Sequence, residues 1–73
     1  MKIEINTEYI KLDQFLKWSG SVDSGTTAKY FIENGNVKVN DEICRQRGKK
    51  LRAGDVVKVR GVGVFRITQS IGE

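Results

Sequence analysis

The sequence predicts an α+β fold in which two helices pack on a small, mostly antiparallel β-sheet. Between residues 9 and 35, apolar side chains twice follow the helical spacing i, i+3, i+4. After residue 36, β-branched residues form short runs separated by turn residues. Helices followed by a run of strands are typical of α+β folds. The chain has 73 residues, which predicts a single domain over 1–73.

The first third of the chain predicts one strand and one helix. In residues 2–6, KIEIN, isoleucine alternates with charged residues, as in a strand with one buried face. A helical stripe follows at Leu12, Phe15 and Leu16. Ser19 and Gly20 predict the end of this helix. We expect Thr7 or a residue just before Lys11 to cap its start.

A second helix is predicted after the loop SVDSG. Either Asp23 or Ser24 can accept a hydrogen bond from the free N–H groups of its first turn. Its apolar stripe consists of Ala28, Phe31 and Ile32. Gly35 stands where a left-handed residue ends many helices.

The rest of the chain predicts strands and turns. Residues 37–44 read as a hairpin with Asn40 and Asp41 in its loop, because both residue types tolerate positive φ. Residues 45–50 are expected to form a polar connection, with a bulge at Gly48. The segments VVKVR and VFRITQ predict two further strands, separated by the turn GVG. The helical stripes are expected to pack on Val37, Val39, Leu51, Val57 and Val59.

The positive charge lies in the second half of the chain. Residues 1–36 carry a net charge of −1, whereas residues 37–73 carry +5. Five Lys or Arg residues occur within residues 45–52, with no acidic residue among them. This asymmetry favours a polyanionic partner, and a solvated basic face is the alternative. We expect the excess charge to gather beside the paired helices as one docking surface.

Several classes of function lack their residues. The chain has no histidine and one cysteine, so neither a Cys/His pair nor a Ser/His/Asp triad can form. We therefore predict no enzymatic activity, no metal site and no cofactor. No apolar run approaches the ~20 residues that span a bilayer, and no signal peptide is evident. A single cysteine suits a reducing compartment, so we expect the protein to remain in the cytoplasm.

The order of motifs resembles the small RNA-binding domain first named from ribosomal small-subunit protein S-four. The resemblance spans about residues 11–59. Its matching positions are Leu12, Asp13, Leu16, Ser24, Ala28, Ile32, Gly35, Val37, Val39, Asn40, Gly54 and Asp55. It implies an RNA-binding module without catalysis, whose partner is ribosomal RNA or a ribosomal subunit. Three positions depart from the family pattern: Lys11 replaces an Arg, Gly25 a frequent Arg, and Asp41 a Gly.

Two groups of residues are the candidate RNA contacts. In the basic run, Lys and Arg can neutralise phosphates: Arg45, Arg47, Lys49, Lys50 and Arg52. At the predicted start of the second helix, hydroxyls and free backbone N–H groups can bind phosphate: Ser24, Gly25, Thr26 and Thr27. For this second group, ordinary helix capping remains the alternative.

Three further side chains, at the start of the first helix or on the two helices, are considered as RNA contacts, and two of them have an alternative role. Lys11 begins the first helix and could reach RNA. Trp18 lies two turns later and could either stack on an unpaired base or cover the edge of the core. Lys29 could reach phosphate or pair with Glu33.

The sequence thus predicts an RNA-binding module, taken by default as a monomer, with two alternatives. A protein-interaction module would use the same helices and sheet and keep the cations as solvated groups. A DNA-binding protein would also contact phosphates. However, no predicted helix is basic enough to serve as a recognition helix.

Overall fold

Two helices cover one face of a five-stranded sheet in the computed structural model, which describes residues 1–70. Residues 71–73, which belong to the predicted domain over 1–73, lie outside the described residues. The predicted α+β fold is confirmed. Its elements are β1 (Lys2–Ile5), β2 (Ile10–Lys11), α1 (Leu12–Trp18), α2 (Gly25–Glu33), β3 (Val37–Val39), β4 (Glu42–Ile43), β5 (Lys50–Leu51), β6 (Val56–Val59) and β7 (Gly63–Gln69).

The main sheet has the strand order β1-β7-β6-β3-β4. All its pairings are antiparallel except that of β1 with β7, which is parallel. A separate two-stranded ladder joins β2 to β5. The sequence did not indicate this ladder, because two-residue strands carry no periodicity.

The start of α1 is held by backbone groups from a distant segment. Lys11 is the N-cap residue and makes no side-chain cap. Instead, the Leu12 and Asp13 N–H groups donate to the carbonyl oxygens of Lys49 and Arg47, at 2.8 and 3.1 Å. The prediction of a cap at Thr7 or just before Lys11 is therefore wrong. The Thr7 hydroxyl donates to the Tyr9 carbonyl at 2.8 Å.

The other helix ends follow the predictions. Ser19 is the C-cap of α1, and Gly20 has φ +80°. Ser24 caps α2, since its Oγ accepts from the Thr27 N–H at 3.2 Å. Gly35 follows α2 with φ +74°, the left-handed conformation expected there.

The hairpin from β3 to β4 turns at Asn40 and Asp41, whose φ values are +52° and +72°. This confirms the predicted two-residue loop. The predicted bulge at Gly48 is wrong. Arg47 and Gly48 form a turn in which the Lys49 N–H donates to the Gln46 carbonyl at 3.2 Å.

One apolar core joins the helices to the sheet. The predicted stripes and strand residues are buried in it, except that Phe31 is only partly buried. Val22, Phe65 and Ile67 also belong to the core, which the sequence did not single out. Phe15 of α1 meets Phe65 of β7 edge to face, with ring centres 5.8 Å apart. Within residues 1–70, no helix is long and apolar enough to cross a membrane.

Candidate nucleic-acid interface

The basic segment, defined as residues 45–52, is fastened to the start of α1. Besides the two hydrogen bonds that cap α1, β5 pairs with β2 so that Lys50 lies opposite Lys11. Leu51, between the cations of this segment, is fully buried and anchors it to the core. The fold therefore brings Lys11 to the basic segment, although the two are far apart in sequence.

Two cations lie against one aromatic ring at this ladder, and a third is on the same side of it. The Lys50 Nζ lies 4.9 Å from the centre of the Tyr9 ring, and the Arg52 guanidinium carbon lies 5.6 Å from it. Lys11 is on the same side of the ladder, because it faces Lys50. We call Tyr9, Lys11, Lys50 and Arg52 the Tyr9 cluster. The ring attracts both neighbouring cations and so offsets part of their mutual repulsion. An anion that docks here would offset more of it.

A groove begins at the Tyr9 cluster and runs along α1. It has a volume of about 490 Å³ and is lined by residues 5–11, Gln14 and Trp18. Trp18 is 65% exposed, so the expectation that it covers the edge of the core is wrong. Its indole Nε1 donates to the Glu4 carbonyl at 3.3 Å, which orients the ring beside β1.

Arg45, the first residue of the basic segment, lies near the C-terminal end of α2. The Arg45 Nη2 is 3.1 Å from the position that a Cβ on Gly35 would occupy. Gly35 thus leaves room for this guanidinium beside the last turn of α2. Arg45, Gln46 and Lys49 line a second groove of about 410 Å³. The Arg47 side chain is exposed, and its carbonyl caps α1.

The predicted contacts at the start of α2 lie apart from Arg45. The nine residues of α2 separate its ends by about 13 Å at 1.5 Å per residue. The Oγ atoms of Ser24 and Thr27 are 3.1 Å apart, and Ser24 also caps the helix. Gly25 and Thr26 are exposed. Capping therefore already accounts for Ser24 and Thr27.

Lys29 is exposed on α2 and makes no ion pair with Glu33. In residues 1–70, the one ion pair within 4.0 Å joins Lys58 to Asp41, at 2.7 Å. The pairing offered as an alternative role for Lys29 is therefore absent from this structure.

The prediction that the excess positive charge gathers on one surface is wrong. Lys38, Lys58 and Arg66 alternate with core residues along β3, β6 and β7. Because successive side chains of a strand point to opposite faces, these three lie on the face away from the helices. We call this the outer sheet face. The alternation in VKV and VVKVR already contained this information.

The negative charge of Asp41, on its exposed turn, is partly neutralised by the neighbouring Lys58. The hydrogen bond from Lys58 and the charge of Lys58 hold the pKa of the Asp41 carboxyl below its ordinary value of 3.8, and the charge of Lys38 adds to the effect. This acidic departure from the family pattern therefore faces the cations of the outer sheet face.

Asn40 and Asp55 are occupied with holding turns together. The Asn40 amide donates to the Asp55 carboxylate at 3.2 Å and accepts from the Val56 N–H at 3.0 Å. The other oxygen of Asp55 accepts from the Arg52 N–H at 2.9 Å. Asp55 thus fixes the backbone of Arg52, one of the cations in the Tyr9 cluster.

Tyr9 and Gln14 were not among the residues singled out from the sequence. Tyr9 stands two residues before Lys11, and this spacing places both on one side of an extended segment. Only the pairing with β5 shows that Lys50 and Arg52 reach the same ring.

Comparison with known proteins is consistent with this fold. A family model described as "S4 domain" matches residues 3–68. A protein of Bacillus subtilis (strain 168), named "Probable ribosome maturation protein RlbA", is 48% identical over 65 residues. The aligned region covers 89% of this chain and 92% of the relative.

Proposed function

The chain belongs to the S4 domain family, and we propose that it binds structured RNA without catalysing a reaction. The observation that carries the proposal is the Tyr9 cluster, where three cations share one surface with an aromatic ring beside the exposed Trp18. Cations next to aromatic rings suit RNA, which offers both phosphates and bases.

Ribosomal RNA, free or in a ribosomal particle, is the target we propose. The name of the Bacillus subtilis relative connects that protein with ribosome maturation, and almost its whole length aligns with this chain. The proposal places its action in the cytoplasm, where bacterial ribosomes are assembled, and takes the monomer as the default state. The proposed absence of catalysis is supported by the lack of histidine in the chain, because histidine is the commonest general base.

The basic segment would contribute affinity rather than sequence recognition. Each cation that neutralises a phosphate releases counterions and adds about −0.7 to −0.9 to the slope of log affinity against log salt. Four such contacts give a slope of about −3. Arg52 can hold a phosphate with two parallel hydrogen bonds, whereas Lys50 acts as a point charge.

Two double variants with the same charge change test the proposal. Lys50→Glu with Arg52→Glu reverses two of the three cations of the Tyr9 cluster, and Lys38→Glu with Arg66→Glu reverses two cations of the outer sheet face. Binding to ribosomal RNA fragments is measured by mobility shift at 50 and 200 mM salt. We expect the first variant to bind at least about tenfold more weakly, with a shallower salt slope, because it loses phosphate contacts and adds repulsion. The second should bind within about threefold of the native chain.

The outcomes separate the competing functions. Equal losses in both variants would show that net charge, not the Tyr9 cluster, governs binding. Native affinity of the first variant would reject the cluster as the interface. Preference for duplex DNA in a competition assay would instead support a DNA-binding protein. Circular dichroism of both variants checks that each is folded.

A further inference from the structure

The groove beside the Tyr9 cluster has the size and walls of a site for one planar group. Its volume of about 490 Å³ falls within the range of about 300–1,000 Å³ common for small-molecule sites. Mostly apolar surface lines it, and Asn6 and Gln14, whose side chains carry amides, are among its lining residues. Amides both donate and accept hydrogen bonds, as the edges of nucleobases do.

Trp18 forms a wall of this groove that is already oriented. A side chain of this size that is 65% exposed leaves apolar area for a partner to cover. The hydrogen bond from Nε1 to the Glu4 carbonyl restricts rotation of the indole. Stacking on a ring that is already restricted costs less side-chain entropy than stacking on a free one.

The charges around the groove indicate which part of a nucleotide would enter it. Glu8 contributes to the lining and would repel a phosphate there. Lys11 lies where the groove meets the Tyr9 cluster, so a phosphate is favoured at that end. The base would therefore enter the groove while its backbone remains beside the cations.

We propose that the groove between Trp18 and Tyr9 takes one unpaired nucleobase, displaced from a neighbouring RNA helix. A base inside a duplex is stacked on both faces, so only an unpaired one can lie on the indole. This inference rests on the proposed RNA-binding function and adds the kind of RNA element that is bound.

Three RNA stem-loops test the inference. One carries a single bulged adenosine, the second carries an abasic residue at the same position, and the third is fully paired. The abasic RNA keeps the backbone distortion and lacks only the base. Trp18 is the only tryptophan in the chain, so its fluorescence reports on this groove alone. We expect the bulged adenosine to quench Trp18 and to bind at least about fivefold more tightly than the abasic RNA, as base stacking on an aromatic ring allows.

Two matched variants locate the effect. Trp18→Leu should remove the preference for the bulged base while retaining affinity for the paired stem. Tyr30→Leu removes another exposed aromatic residue, 64% exposed on α2, and should leave the preference unchanged. Should Trp18→Leu fail to fold, the affinities of the native chain for the three RNAs and the quenching of Trp18 still test whether the groove takes a base.

The results separate this inference from the function on which it rests. Equal affinity for the bulged and abasic RNAs would overturn the base site and leave RNA binding intact. A preference that survives Trp18→Leu would overturn the assignment to this groove. Failure to bind any of the three RNAs would count against the proposed function, and the base site would fall with it.

Discussion

Ser24 has two interpretations, as a helix cap and as an RNA contact, and one substitution separates them. Ser24→Ala removes the acceptor for the Thr27 N–H, which should lower the free energy of unfolding by about 1 kcal/mol. Urea denaturation measures this loss. RNA affinity at a temperature where the variant is folded should stay within about twofold of native, because capping already uses the hydroxyl. A large loss of affinity without a loss of stability would favour the RNA contact.

The ion pair of Asp41 and Lys58 predicts a specific dependence on pH. Because Lys58 lowers the pKa of Asp41 in the folded chain, the pair stabilises the fold above pH 3.8. That contribution is lost as pH falls below 3.8 through the lowered pKa. In Lys58→Met, we expect the Asp41 pKa to rise toward 3.8, as followed by NMR titration of its carboxyl carbon. An unchanged pKa would mean that the ion pair does not persist in solution.

Residues whose roles depend on near neighbours were predicted correctly from the sequence. Ser24 caps the helix that begins at the next residue, Gly35 follows the end of that helix, and Asn40 and Asp41 form a two-residue loop. The cap of α1 was missed because its acceptors, the carbonyls of Lys49 and Arg47, lie more than thirty residues away. No local pattern encodes such a contact.

The same distinction applies to the candidate site. The cations of the basic segment were evident as a run of like charge, and Trp18 was recognised as a possible stacking residue. Their grouping with Tyr9 depends on the pairing of β2 with β5. Two-residue strands leave no periodicity from which this pairing could be read.

At the scale of elements, β5 attaches the basic segment to the rest of the fold. Leu51 is fully buried, and the carbonyls of Arg47 and Lys49, just before β5, accept hydrogen bonds from the Asp13 and Leu12 N–H groups. Leu51→Ala should lower the free energy of unfolding by about 2–5 kcal/mol. It should also detach the basic segment locally. The amide protons of Leu12 and Asp13 should then exchange faster with solvent than the loss of overall stability alone predicts.

Hydrogen exchange by NMR distinguishes the local effect from the global one. The amides of β6, such as that of Val57, serve as the reference, because their exchange should follow the change in overall stability alone. If the Leu12 and Asp13 amides exchange in step with Val57, the segment has not been released separately.

At the scale of the whole molecule, a single core makes helices and sheet depend on each other. A chain of 73 residues has a stability of roughly 4–11 kcal/mol at typical values per residue. Phe15→Ala removes the edge-to-face contact with Phe65 and should cost about 3–5 kcal/mol. We expect a much lower melting temperature, with circular dichroism and Trp18 fluorescence changing together. A sheet signal that outlasts the fluorescence change would contradict a single cooperative core.

The parallel pairing of β1 with β7 has a consequence for the order in which the chain folds during synthesis. Lys2 pairs opposite Arg66, so the two strands leave the translating ribosome about sixty residues apart. At about 5–20 residues per second, β1 waits roughly 3–12 seconds for its partner. During that interval, Ile3 and Ile5 have no sheet to cover them. The nascent β1 segment therefore remains without its partner strand until β7 has been synthesised.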